Sequence, residues 1–145
     1  MKNIITLIFT IVVFQITANG QCKTCNNFTD AFIDPEMVTI IKINSWQTDV
    51  ELAKIPKDIN KFKNLKILWL SQHNFGKIGD DICQLQKLES LSLAENKLTD
   101  LPDCIYEMMS LREIVLVSNF FTEAKKKEII EKFKKINPKV TVSID

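Results

Sequence analysis

Three stretches of this chain repeat one another in register, and that repetition restricts its fold more than any other feature. LKILWLSQHNF begins at Leu65, LESLSLAENKL at Leu88 and LREIVLVSNFF at Leu111, so successive starts are 23 residues apart. A second block keeps the same step: IPKDI begins at Ile55, IGDDI at Ile78 and LPDCI at Leu101. The full unit reads L-x-x-L-x-L-x-x-N-x-L-x-x-L-P-x-x-I-x-x-L-x-x. In L-x-x-L-x-L the last two apolar positions are two apart, so they share one face of an extended strand. Those pairs are Leu68 with Leu70, Leu91 with Leu93, and Ile114 with Leu116. Ile82, Leu85 and Leu88, like Ile105, Met108 and Leu111, are spaced instead as a helical turn is. One coil is therefore a short strand, a turn, and a short helical or 3₁₀ return. A single coil cannot bury its own apolar edge, so coils stack and their strands pair in parallel, about 4.8 Å apart.

The unit, recurring over roughly 38–121, resembles the leucine-rich repeat in its 23-residue form. The resemblance implies an α/β solenoid: a parallel sheet on the concave face, short helical or 3₁₀ segments on the convex face, and binding as the class of function. The coils are 38–64, 65–87, 88–110 and a partial one at 111–121. At the ninth position stand Asn96 and Asn119, where the chain turns inward and frees backbone N–H and C=O groups. An amide can satisfy both kinds. His73 holds this position in the coil from Leu65 and can give one bond and take one. It is the only histidine of the chain. Its place in the repeat explains it without a catalytic or metal role.

The first coil is irregular. Val38, Ile41 and Ile43 match the strand positions, and Leu52, Ile55, Pro56 and Ile59 match the return. Nine steps separate Ile43 from Leu52 where Leu93 to Leu98 takes five, so four extra residues fall near Ser45-Trp46-Gln47-Thr48. Pro56 and Pro102 pre-set φ for the turn into the return segment. Gly79 stands in their place in the coil between, its flexibility substituting.

Both flanks differ in composition from the repeats. Met1-Lys2-Asn3, the apolar run Ile4 to Ile16 and the small residues Ala18 and Gly20 read as a secretory signal peptide over 1–20, cut after Gly20. The run is shorter than the ~20 residues a membrane-spanning helix needs. Residues 21–37 form an N-terminal cap with Cys22 and Cys25. An even count of four cysteines in an exported chain favours disulfides, and three pairings are possible. Cys22 with Cys25 and Cys83 with Cys104 is the favoured set, the second gap falling near the ~7 Å limit for bridging. A redox pair or half a metal site at Cys22 and Cys25 is the alternative. Asn27-Phe28-Thr29 fits a glycosylation acceptor in a eukaryotic secretory path. Beyond the last repeat, 122–145 form a C-terminal cap. Thr122 caps a helix to about Ile136 with Ala124, Ile129, Ile130, Phe133 and Ile136 as its apolar stripe, and Val140, Val142 and Ile144 alternate as a final strand.

Charge excludes some partners. The net charge is +1, and losing Lys2 with the leader brings it to zero, so nothing recruits nucleic acid or an anionic membrane globally. The Lys-rich helix and the acidic stretch 78–103 read as solvated faces. No nucleophile–base pair, phosphate loop or metal cluster emerges, and no cofactor is expected. What remains is the concave surface. Its outward positions place Lys42, Trp69, Ser92 and Val115 in one column and Asn44, Ser71, Ala94 and Val117 in the next, with Ile67 alongside. Trp69, Ile67, Val115 and Val117 are large apolar groups on a face open to water, which is how an interaction surface looks. The expectation is a monomeric secreted, periplasmic or extracellular module that binds a protein or peptide on this face. No membrane insertion of the mature chain is expected. A structural envelope or adhesion component is the alternative.

Overall fold

The computed structural model describes residues 21–45, 52 and 54–145. The expected leader at 1–20, and most of the extra residues near Trp46, lie outside them. Six strands form one parallel sheet in sequence order: β1 (Thr24–Cys25), β2 (Ile40–Asn44), β3 (Ile67–Ser71), β4 (Ser90–Ser92), β5 (Glu113–Val115) and β6 (Thr141–Ser143). Three returns are 3₁₀ helices, at Lys57–Lys61, Asp80–Gln84 and Asp103–Glu107. This is the solenoid that the 23-residue period requires.

Register follows the repeat residue for residue. Ile67 pairs with Ser90 and Ser90 with Glu113, each 23 residues on, whereas Ile40 pairs with Ile67, 27 residues on. The difference of four is the length of the insertion read from the first coil. Inward positions Ile41, Leu68, Leu91 and Ile114 stand side by side and are fully buried, as are Leu70, Leu93 and Leu116. They pack on Ile59, Ile82 and Ile105 from the 3₁₀ returns, forming a continuous core. Fully burying each such side chain contributes roughly 1.5–3 kcal/mol.

The ninth-position ladder is complete. Asn96 Nδ2 donates to Leu70 O (2.9 Å), Leu93 O (3.0 Å) and Ala94 O (3.1 Å), and its Oδ1 accepts from the backbone N–H of His73 (3.1 Å) and Phe75 (3.0 Å). Asn119 repeats the pattern one coil on, reaching Leu93 O and Leu116 O and accepting from Leu98 N–H. His73 does the same work toward the first coil. Its Nδ1 accepts from Leu52 N–H (3.3 Å), which leaves Nε2 to carry the proton and donate to Ile43 O (2.8 Å). One residue earlier, Gln72, Glu95 and Ser118 all take the left-handed backbone, at φ 65°, 53° and 56°. Each costs on the order of 1–2 kcal/mol without glycine. The repeated inward turn imposes it.

Several expectations change in detail. Pro56, Gly79 and Pro102 enter their 3₁₀ helices alike, with ψ of 137°, 169° and 140°. Gly79 sits at φ −90° with room for a Cβ, so the turn does not depend on a glycine there. Ala94 is buried rather than outward, because β4 stops at Ser92 and the chain is already turning in. The N-terminal cap does more than cover. Thr24 and Cys25 pair with Ile40 and Ile41, adding a strand, while Phe28 and Phe32 lie against Phe62 with ring centroids 6.3 and 4.9 Å away.

At the other end the helix Glu123–Ile136 starts at Thr122, whose hydroxyl accepts from Lys125 N–H (3.2 Å). Ile129 and Phe133 are buried, the latter 4.8 Å from Tyr106. Ala124 and Ile136 are exposed, so the buried stripe is narrower than the periodicity implied. Asn137 ends the helix and is itself buried, donating to Met108 O (2.9 Å). The Lys-rich face is not wholly solvated either: Lys125 pairs with Asp100 (3.3 Å) and Lys132 with Asp103 (3.0 Å). The basic helix and the acidic turns thus partner each other.

Candidate functional site

Parallel pairing places the outward side chains in rows across the sheet. One row runs Thr24, Ile40, Ile67, Ser90, Glu113, Thr141. The next runs Lys42, Trp69, Ser92, Val115, Ser143, and Asn44 lies beside Ser71 in the third. Lys42, Asn44, Ile67, Trp69, Ser71, Ser92 and Val115 are therefore brought together on one face, and each is half-buried. Val117 lies past the end of β5, also half-buried, at the margin of that face.

Trp69 anchors this surface and is tied on two sides. The Lys42 ammonium sits 3.6 Å from the centroid of its ring, and its Nε1–H donates to Ser90 Oγ (3.2 Å). Ser90 in turn donates to a Glu113 carboxylate oxygen (2.9 Å). A cation–indole contact and two hydrogen bonds so link β2, β3, β4 and β5. The repeat pattern marks Trp69 only as an outward apolar group; the structure gives it cross-strand contacts that hold its ring. Ser71 and Ser92 hydroxyls share a bond of 3.2 Å one position along. Neither Ser90 nor Glu113 had been singled out as a binding residue. Reading them needed the cross-strand register and the reach of the side chains, which a one-dimensional pattern does not carry.

The titratable groups with displaced pKa values lie elsewhere, at the C-terminal cap. Hydrogen bonds to Asp103 and then Glu128 raise Lys132, and the bond to Glu128 raises Lys125. Glu128 is lowered by Lys125 and then Lys132, and Glu123 by Lys126. Burial raises Tyr106 above its ordinary 10.0. Most of these pairs lie within the helix, and Asp103 joins it to the last repeat. Both ring nitrogens of buried His73 are engaged by backbone groups, which leaves no lone pair for a metal or substrate. Cys22 is bridged to Cys25 and Cys83 to Cys104, with Cα separations of 5.5 and 6.0 Å. The second pair joins two successive 3₁₀ returns. Among the described residues no group of three His, Cys, Asp or Glu side chains could hold a metal.

Comparison with known proteins agrees with this geometry. The sequence profile of the leucine rich repeat matches residues 63–121. A solved structure of a leucine-rich-repeat protein from Leptospira interrogans is similar over 73% of this chain, with a TM-score of 0.56 and 31% sequence identity. This chain spans only 24% of the length of that one. No curated protein matches the sequence.

Proposed function

The chain is a leucine-rich-repeat protein, and from that premise we propose that its concave sheet binds a protein or peptide partner, anchored on Trp69. The fold is typically a non-enzymatic scaffold for protein interaction. The observation that carries the reading is a half-buried tryptophan held in one orientation by Lys42 and Ser90 at the middle of an open face. Side chains ordered before binding lose less entropy on binding, and tryptophan is among the residues that carry most interface energy. Ile67, Val115 and Val117 supply further apolar area around it, and Lys42, Asn44, Ser71 and Ser92 supply polar contacts.

The setting we infer is outside the cytoplasm, with the protein a monomer after cleavage at Gly20. Four cysteines joined in two pairs suit an oxidising compartment, and the sequence of residues 1–20 suits export. Among the described residues no helix is long and apolar enough to cross a membrane.

The test compares the exported protein with its Trp69→Ala variant as baits in native extracellular medium, with chemical cross-links mapped on the retained partner. A partner held by the wild type, cross-linked to β2–β5 and weakened by about 2 kcal/mol or more in the variant supports the reading. A partner retained equally by both baits removes the concave face from consideration. A chain that captures nothing in that medium fits a structural envelope component instead.

A further inference from the structure

The two central rows of the concave sheet carry one cation and one anion, Lys42 on β2 and Glu113 on β5. Neither is in an ion pair among the described residues. Lys42 lies on the indole of Trp69, and Glu113 accepts only the hydroxyl of Ser90. Other charges at the margin of this face are already engaged: Lys66 with Glu89 at 2.9 Å, and the Arg112 guanidinium with the carbonyls of Met109 and Leu111, both at 2.8 Å. Along these two rows the charge runs from positive at Lys42 on β2 to negative at Glu113 on β5, with Trp69 between.

From this we propose that the partner presents an extended peptide segment that crosses the strands, with an acidic side chain over Lys42, a basic one over Glu113, and an apolar residue between them on Trp69. The proposal rests on the concave-face reading and narrows it to a charge pattern. The spacing follows from sheet dimensions. β2 and β5 are three strand separations apart, about 14 Å at 4.8 Å each, and Glu113 is offset from the Lys42 row by two residues, about 7 Å. The diagonal is about 16 Å; in an extended chain rising roughly 3.3 Å per residue, positions four apart share one face and stand about 13 Å apart, and the reach of the two charged side chains covers the rest, with the residue midway between them facing Trp69. A carboxylate meeting Lys42 completes a cation held on one side by the indole without having to remove it. A protonated amine meeting Glu113 likewise leaves the Ser90 bond in place. A segment with two like charges satisfies one end and is repelled at the other, so the face selects against it.

Fluorescein-labelled ten-residue peptides test this by anisotropy against the exported protein at low salt. Each carries a central leucine in a Gly/Ser host. Four patterns are compared: Glu and Lys four residues apart with the leucine midway, Glu and Lys adjacent, two Glu four apart, and two Lys four apart. The separated Glu/Lys peptide is expected to bind roughly five-fold tighter than the others, an advantage that shrinks as salt rises. Lys42→Glu moves the preference to the two-Lys peptide and Glu113→Lys moves it to the two-Glu peptide. The double variant restores the original order. Indifference to charge pattern, with binding still lost in Trp69→Ala, overturns the polarity and leaves the concave site standing. Binding unaffected by Trp69→Ala and by both charge variants overturns the site as well. Failure of every peptide overturns the extended segment as occupant. A concentration-dependent dimer in sedimentation, abolished by Trp69→Ala, assigns the face to a second copy of the chain.

Discussion

Asn96→Ala is the substitution that most directly tests how the solenoid is held. The amide makes five hydrogen bonds from a buried position, and the structure says which would be missed. Leu93 O keeps the bond from Asn119, and Ala94 O keeps the bond from the Gln72 N–H. His73 N–H, Phe75 N–H and Leu70 O lose the partner that Asn96 supplies. Each orphaned buried group costs about 1–3 kcal/mol, so the sum is about 3–6 kcal/mol once water entry relieves part of it. Domains of this size are stable by roughly 5–15 kcal/mol, so the variant should remain folded only narrowly. With a urea slope of about 1–3 kcal/mol/M, the midpoint should fall by one to a few molar, on the order of 2 M, at an unchanged slope. Asn119→Ala is the control, because Asn119 is half-buried and its coil faces the cap, where water can replace the amide. It should cost about half as much. His73→Asn should cost less than His73→Ala, since an amide has the same donor–acceptor pair. Asn96→Ala within about 1 kcal/mol of wild type, or no milder an effect at Asn119, would refute the assignment of the ladder as the main polar constraint.

Three further outcomes follow from the same structure. Replacing Cys83 and Cys104 by alanine opens a cross-link between residues 21 apart and should lower stability by about 3 kcal/mol, whereas the Cys22–Cys25 pair, three apart, should matter less; urea midpoints of the two double variants decide. Tyr106 is the only tyrosine, and burial raises its folded pKa above 10.0. Its contribution is then whole below pH 10.0 and is lost as pH rises through the higher folded value, because the unfolded chain releases the proton first. Stability measured from pH 9 to 11 should therefore fall more steeply in the wild type than in Tyr106→Phe; parallel curves would show that the hydroxyl is not desolvated. Phe133→Ala removes the ring that faces Tyr106 and should cost about 3–5 kcal/mol, with the whole chain melting as one unit. An early separate transition of the C-terminal helix would show that the cap is not part of the cooperative core.

Much of the fold was legible because inward positions recur at fixed spacing and each must be apolar. The four-residue excess between Ile43 and Leu52 reappears as the 27-residue step from Ile40 to Ile67. The parts not legible are those without a compositional mark. β1 has only two residues and no alternation to betray it. The left-handed turns at Gln72, Glu95 and Ser118 carry no glycine, so the usual signal for positive φ is missing. Asn137 ends the last helix and also satisfies a carbonyl of the last coil, a contact between residues 29 apart that the local sequence does not show.

The candidate site divides along the same line. Which residues face outward is a matter of parity along each strand, so the row containing Lys42, Trp69, Ser92 and Val115 could be written down in advance. What those residues do to one another depends on side-chain length and rotamer across a gap of about 4.8 Å, and parity is silent on that. Lys42 reaches back over the indole because its stem is long enough to cross from β2 to β3, and Ser90 is short enough to bond both Trp69 and Glu113. The proposed binding role draws on this arrangement. A tryptophan restrained from both sides has surrendered much of its rotamer freedom during folding, so a partner meets a surface already ordered and loses less on association. The contacts that hold Trp69 are also the charges a partner would meet first. In the proposed reading, orientation and selectivity reside in the same few outward side chains, leaving the inward ones to the core.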